Sequence, residues 1–252
     1  MSRAWVRLLP HGMSKMPTNT TLEIIAHRGA SGEFPENTLL AIEQAIKQAA
    51  DAIEIDVFTV DGQLIVIHDH HLERTTNGKG SIYQYSLAQL QQLDAGLGQS
   101  IPTLWQVLQL LQPSALWLNI ELKGADTVEP LIKILTRAEQ ELQFDCSRLL
   151  ISSFNHHLLT ELALTRPDLK LAALTASLPK HYAAFASALN AYAVNCDVSF
   201  INQAFVDDAK KRNLKVYVYT VDKADDIARM KQYGVDGIFT NYPATSRSLS
   251  LT

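Results

Sequence analysis

Two spacings alternate along this chain. Short apolar or β-branched runs read as strands: "LEIIAH", "AIEIDVFTV", "ALWLNIEL", "RLLISSF", "LKLAAL", "NAYAVN", "KVYVYTV" and "VDGIFT". Between most of them, apolar residues recur every three or four positions, the period of a helix buried on one face. That spacing predicts helices over Thr38–Gln48, Leu104–Leu111, Val128–Leu142, His156–Leu164, His181–Leu189, Gln203–Lys211 and Ala224–Tyr233. Eight strands separated by helices predict an α/β protein, a (β/α)8 TIM barrel. An open doubly wound sheet has the same alternation, but no G-x-G-x-x-G follows any strand. One stretch breaks the rhythm. "DGQLIVIHD" reads as a hairpin return strand, and residues from about 70 to 101 then run polar and Gly-rich, with little periodicity. A connector of that length is read as a small loop insertion after the second strand, on the loop side of the barrel.

Residues 22–252 are expected to form a single domain. Residues 1–21 read as a disordered leader that contains alternative starts at Met13 and Met16, with a vestigial export signal as the second reading. Arg3 and Arg7 are followed by only a short apolar patch that Pro10 breaks, not by a signal-peptide core.

Composition narrows the function classes. A hydrophobic share of 47% with 19% charged residues is that of a globular protein with ample core. A net charge of -4 gives no reason to expect nucleic acid or an anionic membrane as partner. The oligomeric state is open. Cys146 and Cys196 have no CxxC spacing, which argues against a disulfide framework and for a reducing compartment, the cytoplasm.

The candidate chemistry sits at strand ends. "IIAH" ends on His27 and Arg28 and passes through a Gly-rich turn into a helix with Asn37 and Thr38 as cap candidates. Asn37 is read first as a cap, with a site role second. In "AIEIDVF", Glu54 and Asp56 are two apart, so they share one face about 6.6 Å apart at 3.3 Å per residue. Two acids inside an apolar strand need positive compensation. Glu121 near the end of "LWLNIEL" adds a third carboxylate, with Lys123 two residues on. An all-oxygen set suits one hard divalent ion, Mg²⁺ or Ca²⁺, and no His/Cys set argues for zinc. His68 closes the hairpin strand next to Asp69, ahead of solvated His70 and His71. Arg28 offers a bidentate fork and Lys123 a point charge to an anion. Phe154 and Tyr219, each following a barrel strand, are candidates for an apolar side of the pocket. Trp105, in the helical run "TLWQVLQLL", reads as core.

"HRGASGEFPENT", "EIDVFTVDGQLIVIHD" and "IELK", with "SSF" and the closing "GVDGIFTNYP", resemble the glycerophosphodiester phosphodiesterase family from about Leu22 to Pro243. The resemblance implies a metal-dependent barrel that hydrolyses glycerophosphodiesters to sn-glycerol 3-phosphate and an alcohol. It implies a metal held by Glu54, Asp56 and Glu121, and His27 and His68 exchanging acid and base roles. Two positions depart from the pattern: Tyr219 where a Trp is common, and Asn241 where an Asp is common. Both are expected to fall outside the metal and histidine set and to bear on substrate preference. A lysophospholipase D-like enzyme keeps the same fold and chemistry, but the insertion is only mildly apolar. A catalytically silent barrel acting as a binding module should have lost a histidine or an acid, and all five are present.

Overall fold

The computed structural model describes residues 21–251, so the expected leader, apart from residue 21, lies outside the described residues. β1 (Glu23–His27), β2 (Ala52–Val60), β4 (Trp117–Leu122), β5 (Leu149–Ser153), β6 (Lys170–Thr175), β7 (Ala193–Asp197), β8 (Lys215–Tyr219) and β9 (Gly237–Thr240) run parallel, each beside the next. β1 pairs with both β2 and β9, which closes the ring into a (β/α)8 barrel. The remaining strand, β3 (Gln63–Val66), is the expected hairpin return, antiparallel to β2 from Val57 to Val60. β2 is long because its second half belongs to that hairpin. Glu54 and Asp56, although mid-strand, therefore stand at the barrel rim.

Helices α1 (Leu39–Lys47), α3 (Leu104–Leu111), α4 (Val128–Glu141), α5 (His156–Thr165), α7 (Gln203–Lys211) and α8 (Ala224–Tyr233) match the helical spacing closely. α6 spans only Ala184–Ala188, shorter than the expected His181–Leu189. Its first turn is lost because Tyr182 takes a positive φ of 46° and closes a turn onto the Pro179 carbonyl. α9 (Pro243–Ser250) was not anticipated; it starts at a proline whose missing N–H costs nothing at a first helical turn.

Outward strand positions such as Ile24, Ile53, Ile55, Leu118 and Ile151 pack under the helices and are fully buried. Burying each such side chain stabilises the fold by about 1.5–3 kcal/mol. Inside the barrel a smaller layer of Ile25, Ala52, Leu150, Ala172, Ala193, Tyr217 and Phe239 fills the lower half. Polar inward positions of the same strands lie above it, which confines the site to the strands' C-terminal end.

The insertion is not simply polar. It carries α2 (Leu87–Leu90), started by a Ser86–Gln89 capping box, and a short 3₁₀ turn at Ile82–Gln84. Leu72, Ile82, Leu90, Ala95 and Ile101 form their own small core against Phe58, Val60, Ile65 and Ile67 of the β2–β3 hairpin. This packing seats the insertion beside the barrel mouth.

Among the described residues, no helix is long and apolar enough to cross a membrane. Cys146 and Cys196 are both free and buried. Burial pushes the Cys146 thiol up to about 12 and the Cys196 thiol up as well, so neither is a thiolate at neutral pH. The native protein is expected to leave a thiol-titrating reagent uncoloured, with two thiols reacting only after denaturation. A Cys146→Ala/Cys196→Ala variant should fold and keep at least about a tenth of parental turnover, because neither thiol faces the cavity described below.

Candidate active site

β1 ends at His27, and the chain then turns through two left-handed residues, Arg28 (φ 59°) and Gly29 (φ 81°). A side chain at position 29 would lie 2.6 Å from the backbone of Ala41, so only glycine lets α1 start this close. The turn aims the Arg28 backbone N–H at Glu54 Oε2, 2.9 Å away. The Arg28 guanidinium lies 3.3 Å from Asp56 and donates to Glu36 at 2.8 Å.

Register places the acids together. Asp56 on β2 is opposite Glu121 on β4, and Glu54 lies one inward position below Asp56. One oxygen from each of Glu54, Asp56 and Glu121 lies within 4.8 Å of the others. Desolvation and mutual repulsion hold the Glu54 carboxyl well above its ordinary range, and burial with the neighbouring Asp56 charge pushes Glu121 up to about 7. The two cations compensate only in part. Lys123 donates to Glu121 Oε1 at 2.8 Å and stands 3.5 Å from Asp56 Oδ1. Asp56 Oδ1 is buried without a hydrogen-bond partner. Three clustered carboxylates and an orphaned buried oxygen fit a hard divalent cation.

Asn37 is not the cap. Thr38 caps α1 by accepting from the Ala41 N–H. Asn37 takes a positive φ of 57° and turns its amide onto β2, donating to Asp56 Oδ2 at 3.0 Å and accepting from the Asp56 N–H at 3.3 Å. Asn37 thus orients an acid of the cluster.

Nor does Asn241 lie outside the histidine set. Its Oδ1 is 2.8 Å from His27 Nδ1. Its amide nitrogen donates to Asp222 Oδ2 at 2.7 Å, so the oxygen is the end that faces the ring. His27 therefore carries its proton on Nδ1, and Nε2, 4.0 Å from Glu54, is free to accept one. Burial and the neighbouring Arg28 charge push the His27 imidazole down to about 4, so it is neutral at neutral pH.

His68 lies two residues beyond β3. Its Nδ1 pairs with Asp69 Oδ1 at 2.5 Å, which leaves Nε2 facing Lys123 Nζ at 3.3 Å. His27, Arg28, Glu54, His68, Glu121 and Lys123 line one wall of a cavity of ≈ 300 Å³. Phe154, Leu174, Ala176, Tyr219 and Phe239 line the opposite, apolar wall. Tyr219 is anchored by its hydroxyl on the Thr175 carbonyl at 2.9 Å and packs edge-on against Phe154. Trp105 lies away from this cavity, packed against the barrel core under the Arg137 guanidinium.

All nine candidate residues are thus brought together, while Glu36, Arg74, Asp222 and Asn241 were not read as site residues and Asn37 was read first as a cap. None carries a periodic signal; "PENT" and "ERTT" are polar loop sequence, and only the fold says what they face.

A closed (β/α)8 barrel with acids, histidines and cations gathered at the C-terminal ends of its strands defines a barrel enzyme acting on an anionic substrate. The particular family follows from comparison. The chain belongs to the glycerophosphoryl diester phosphodiesterase family, whose model matches residues 27–245. It is 38% identical over 234 residues to a glycerophosphodiester phosphodiesterase of Caldanaerobacter subterraneus subsp. tengcongensis, covering 88% of this chain and 95% of that protein. A Bacillus subtilis glycerophosphodiester phosphodiesterase is 35% identical over 246 residues, covering 87% and 83% of the two chains. Among solved structures, a phosphodiesterase from Oleispira antarctica in complex with the product sn-glycerol-3-phosphate matches with a TM-score of 0.84 and 31% identity. That match covers 91% of this chain and 97% of the other.

Proposed function

We propose that this protein hydrolyses glycerophosphodiesters to sn-glycerol 3-phosphate and an alcohol, using a divalent cation and two histidines. The carrying observation is the convergence of Glu54, Asp56 and Glu121 within 4.8 Å, with Glu54 and Glu121 on a cavity wall shared with Arg28, Lys123, His27 and His68 and Asp56 buried behind it. The product-bound Oleispira antarctica relative supports the choice of substrate.

In this reading Arg28 and Lys123 meet the non-bridging oxygens of the phosphodiester. Glu54, Asp56 and Glu121 hold one Mg²⁺ or Ca²⁺, which when bound supplies Lewis-acid stabilisation of charge building on the phosphoryl group. His27 is the base that takes the proton of the oxygen attacking phosphorus, a water or a substrate hydroxyl: it is neutral, its tautomer is set by Asn241, and its free Nε2 faces the cavity. His68 protonates the departing alkoxide, and Asp69 at its back counters the charge that moves onto and off the ring. Phe154 and Tyr219 line the side on which the alcohol leaves. Residues 22–252 serve as one catalytic unit. The two unpaired buried thiols support a reducing compartment, the cytoplasm. Release of glycerol 3-phosphate from a panel of glycerophosphodiesters, with and without chelator, tests the proposal; no release with any of them would overturn it.

One observation favours a second substrate class. Phe154, Leu178, Phe200 and Tyr242 are exposed large apolar residues, and all follow the C-terminal ends of barrel strands. The insertion adds exposed Tyr83 and Leu97, so both it and the loops after β5, β6, β7 and β9 carry apolar surface. An acyl chain needs exposed apolar surface of this kind, so the substrate panel includes a lysophospholipid.

The Asn241–Asp222 pair yields a further expectation. Exchanging the two, Asn241→Asp with Asp222→Asn, sets a carboxylate against His27 Nδ1. A negative neighbour favours the imidazolium, so the His27 pKa rises from about 4 and the acidic limb of kcat/KM moves to higher pH. An unmoved acidic limb would show that His27 is not the group reporting there.

A further inference from the structure

We propose that Arg74, carried by the insertion, is a positioning residue that holds His68 and Arg28 in working orientation at once. This rests on the two-histidine reading above and goes beyond it. The loop insertion thereby becomes part of the catalytic apparatus and not an ornament of the barrel.

The geometry is a continuous chain of charged groups across the cavity mouth. Arg74 Nε donates to Asp69 Oδ2 at 2.5 Å, while the other oxygen of Asp69 accepts from His68 Nδ1–H. On its far edge the same guanidinium grips Glu36 with both terminal nitrogens, at 2.7 and 2.8 Å. Glu36 Oε1 also accepts from Arg28 at 2.8 Å. The order is thus His68, Asp69, Arg74, Glu36, Arg28. It joins the loop after β3 to the turn after β1 through one side chain of the insertion.

Each link has a physical reason to matter. Asp69 is partly exposed, and a lone carboxylate on a flexible side chain can rotate away from the ring it orients. Pinning its second oxygen removes that freedom, so the His68 Nδ1–H stays on Asp69 and Nε2, the nitrogen that gives the proton to the alkoxide, stays aimed into the cavity. Hydrogen bonds from Arg74 are the largest effect lowering the Asp69 carboxyl, to about 2, with His68 adding to it. The Glu36 carboxyl is also lowered, by Arg74 and then Arg28, against its burial. Both are therefore anionic acceptors throughout the working range. Lysine cannot replace this residue: an ammonium is a point donor, whereas Arg74 makes a bidentate grip on one carboxylate and a side-on bond to another. The insertion's own core, Leu72 and Ile82 against Phe58 and Ile65, carries Arg74 to this point.

The test compares Arg74→Ala, Arg74→Lys and His68→Ala in the full chain with saturating Mg²⁺ and glycerophosphocholine. Loss of a partner that orients an active-site histidine typically costs about 10–100-fold. Arg74→Ala should fall by that factor in kcat with KM within about threefold, and Arg74→Lys should recover little. Added guanidinium ion should restore a substantial part of kcat to Arg74→Ala and none to His68→Ala. A purely structural role predicts a different pattern, with lower unfolding midpoint, unchanged kcat per folded molecule and no rescue. If Arg74→Ala loses stability, the guanidinium response of its folded fraction still decides. Wild-type kcat in Arg74→Ala, or a loss that guanidinium leaves untouched, overturns the positioning role. If instead His68→Ala keeps parental turnover, the two-histidine reading has failed, and that outcome is distinct because it does not depend on Arg74.

Discussion

His27→Ala and His68→Ala should each lose about 10²–10⁴-fold in turnover while unfolding near the parental midpoint. The factor is that of one acid or base group, equivalent to about 2.7–5.5 kcal/mol of transition-state stabilisation. Neither ring holds the fold together. His27 touches the Asn241 amide and His68 touches Asp69, both at the cavity edge and not in the apolar layers below. A structural histidine would show the reverse, with lost stability and near-normal turnover in whatever remains folded. The pH profile adds a signed test. His27 is pushed down to about 4, so it is available as a base above that value, and kcat/KM should fall as pH drops towards it. The parental profile should be bell-shaped, and each variant should lose one limb. A variant that keeps more than about a tenth of parental turnover would refute the two-histidine mechanism.

Stripping the divalent cation should abolish turnover, and it should also leave a pH signature in stability. Without a cation, burial and the neighbouring Asp56 charge raise the Glu54 and Glu121 carboxyls, Glu121 to about 7, and the Glu121 charge raises Glu54 further. A carboxyl raised in the folded state holds its proton there after the unfolded chain has lost it. The folded state then binds more protons, so stability falls as pH rises above about 4.5, with the Glu121 share lost by about pH 7. The metal-free protein should therefore melt at lower temperature at pH 8 than at pH 5, and Mg²⁺ or Ca²⁺ should restore the difference at high pH. Glu121→Gln should flatten the pH dependence, raise the midpoint of the metal-free protein and weaken the cation's effect. Full turnover after exhaustive chelation, or a metal-free melting temperature indifferent to pH, would remove the case for a cation at these three acids.

What the sequence determined by itself was whatever depends on short range. Strand and helix periodicity comes from which face each element must bury, and it placed eight barrel strands and most of the helices nearly to the residue. The pairing of Glu54 with Asp56 was legible because side chains two apart on a strand share a face. The position of His27, Arg28 and Glu121 near strand ends was legible for the same local reason. What only the tertiary structure decided was contact between residues distant in sequence but adjacent in space. Asn37 looked like a cap because Asn before a helix usually is one; a left-handed backbone at that residue sends its amide to Asp56 instead. Asn241, 214 residues from His27, reached it only when β9 paired with β1 and closed the barrel. Arg74 lay in a segment without periodicity, where sequence carries no directional signal. The insertion's small core had to dock on the β2–β3 hairpin before its guanidinium could meet Asp69 and Glu36. His27, Glu54, Asp56 and Glu121 sit on strands whose geometry repeats, and Arg28, His68 and Lys123 within two residues of one, so sequence finds them. The groups that orient them sit on loops, whose directions are set by closure of the barrel and by what packs against it.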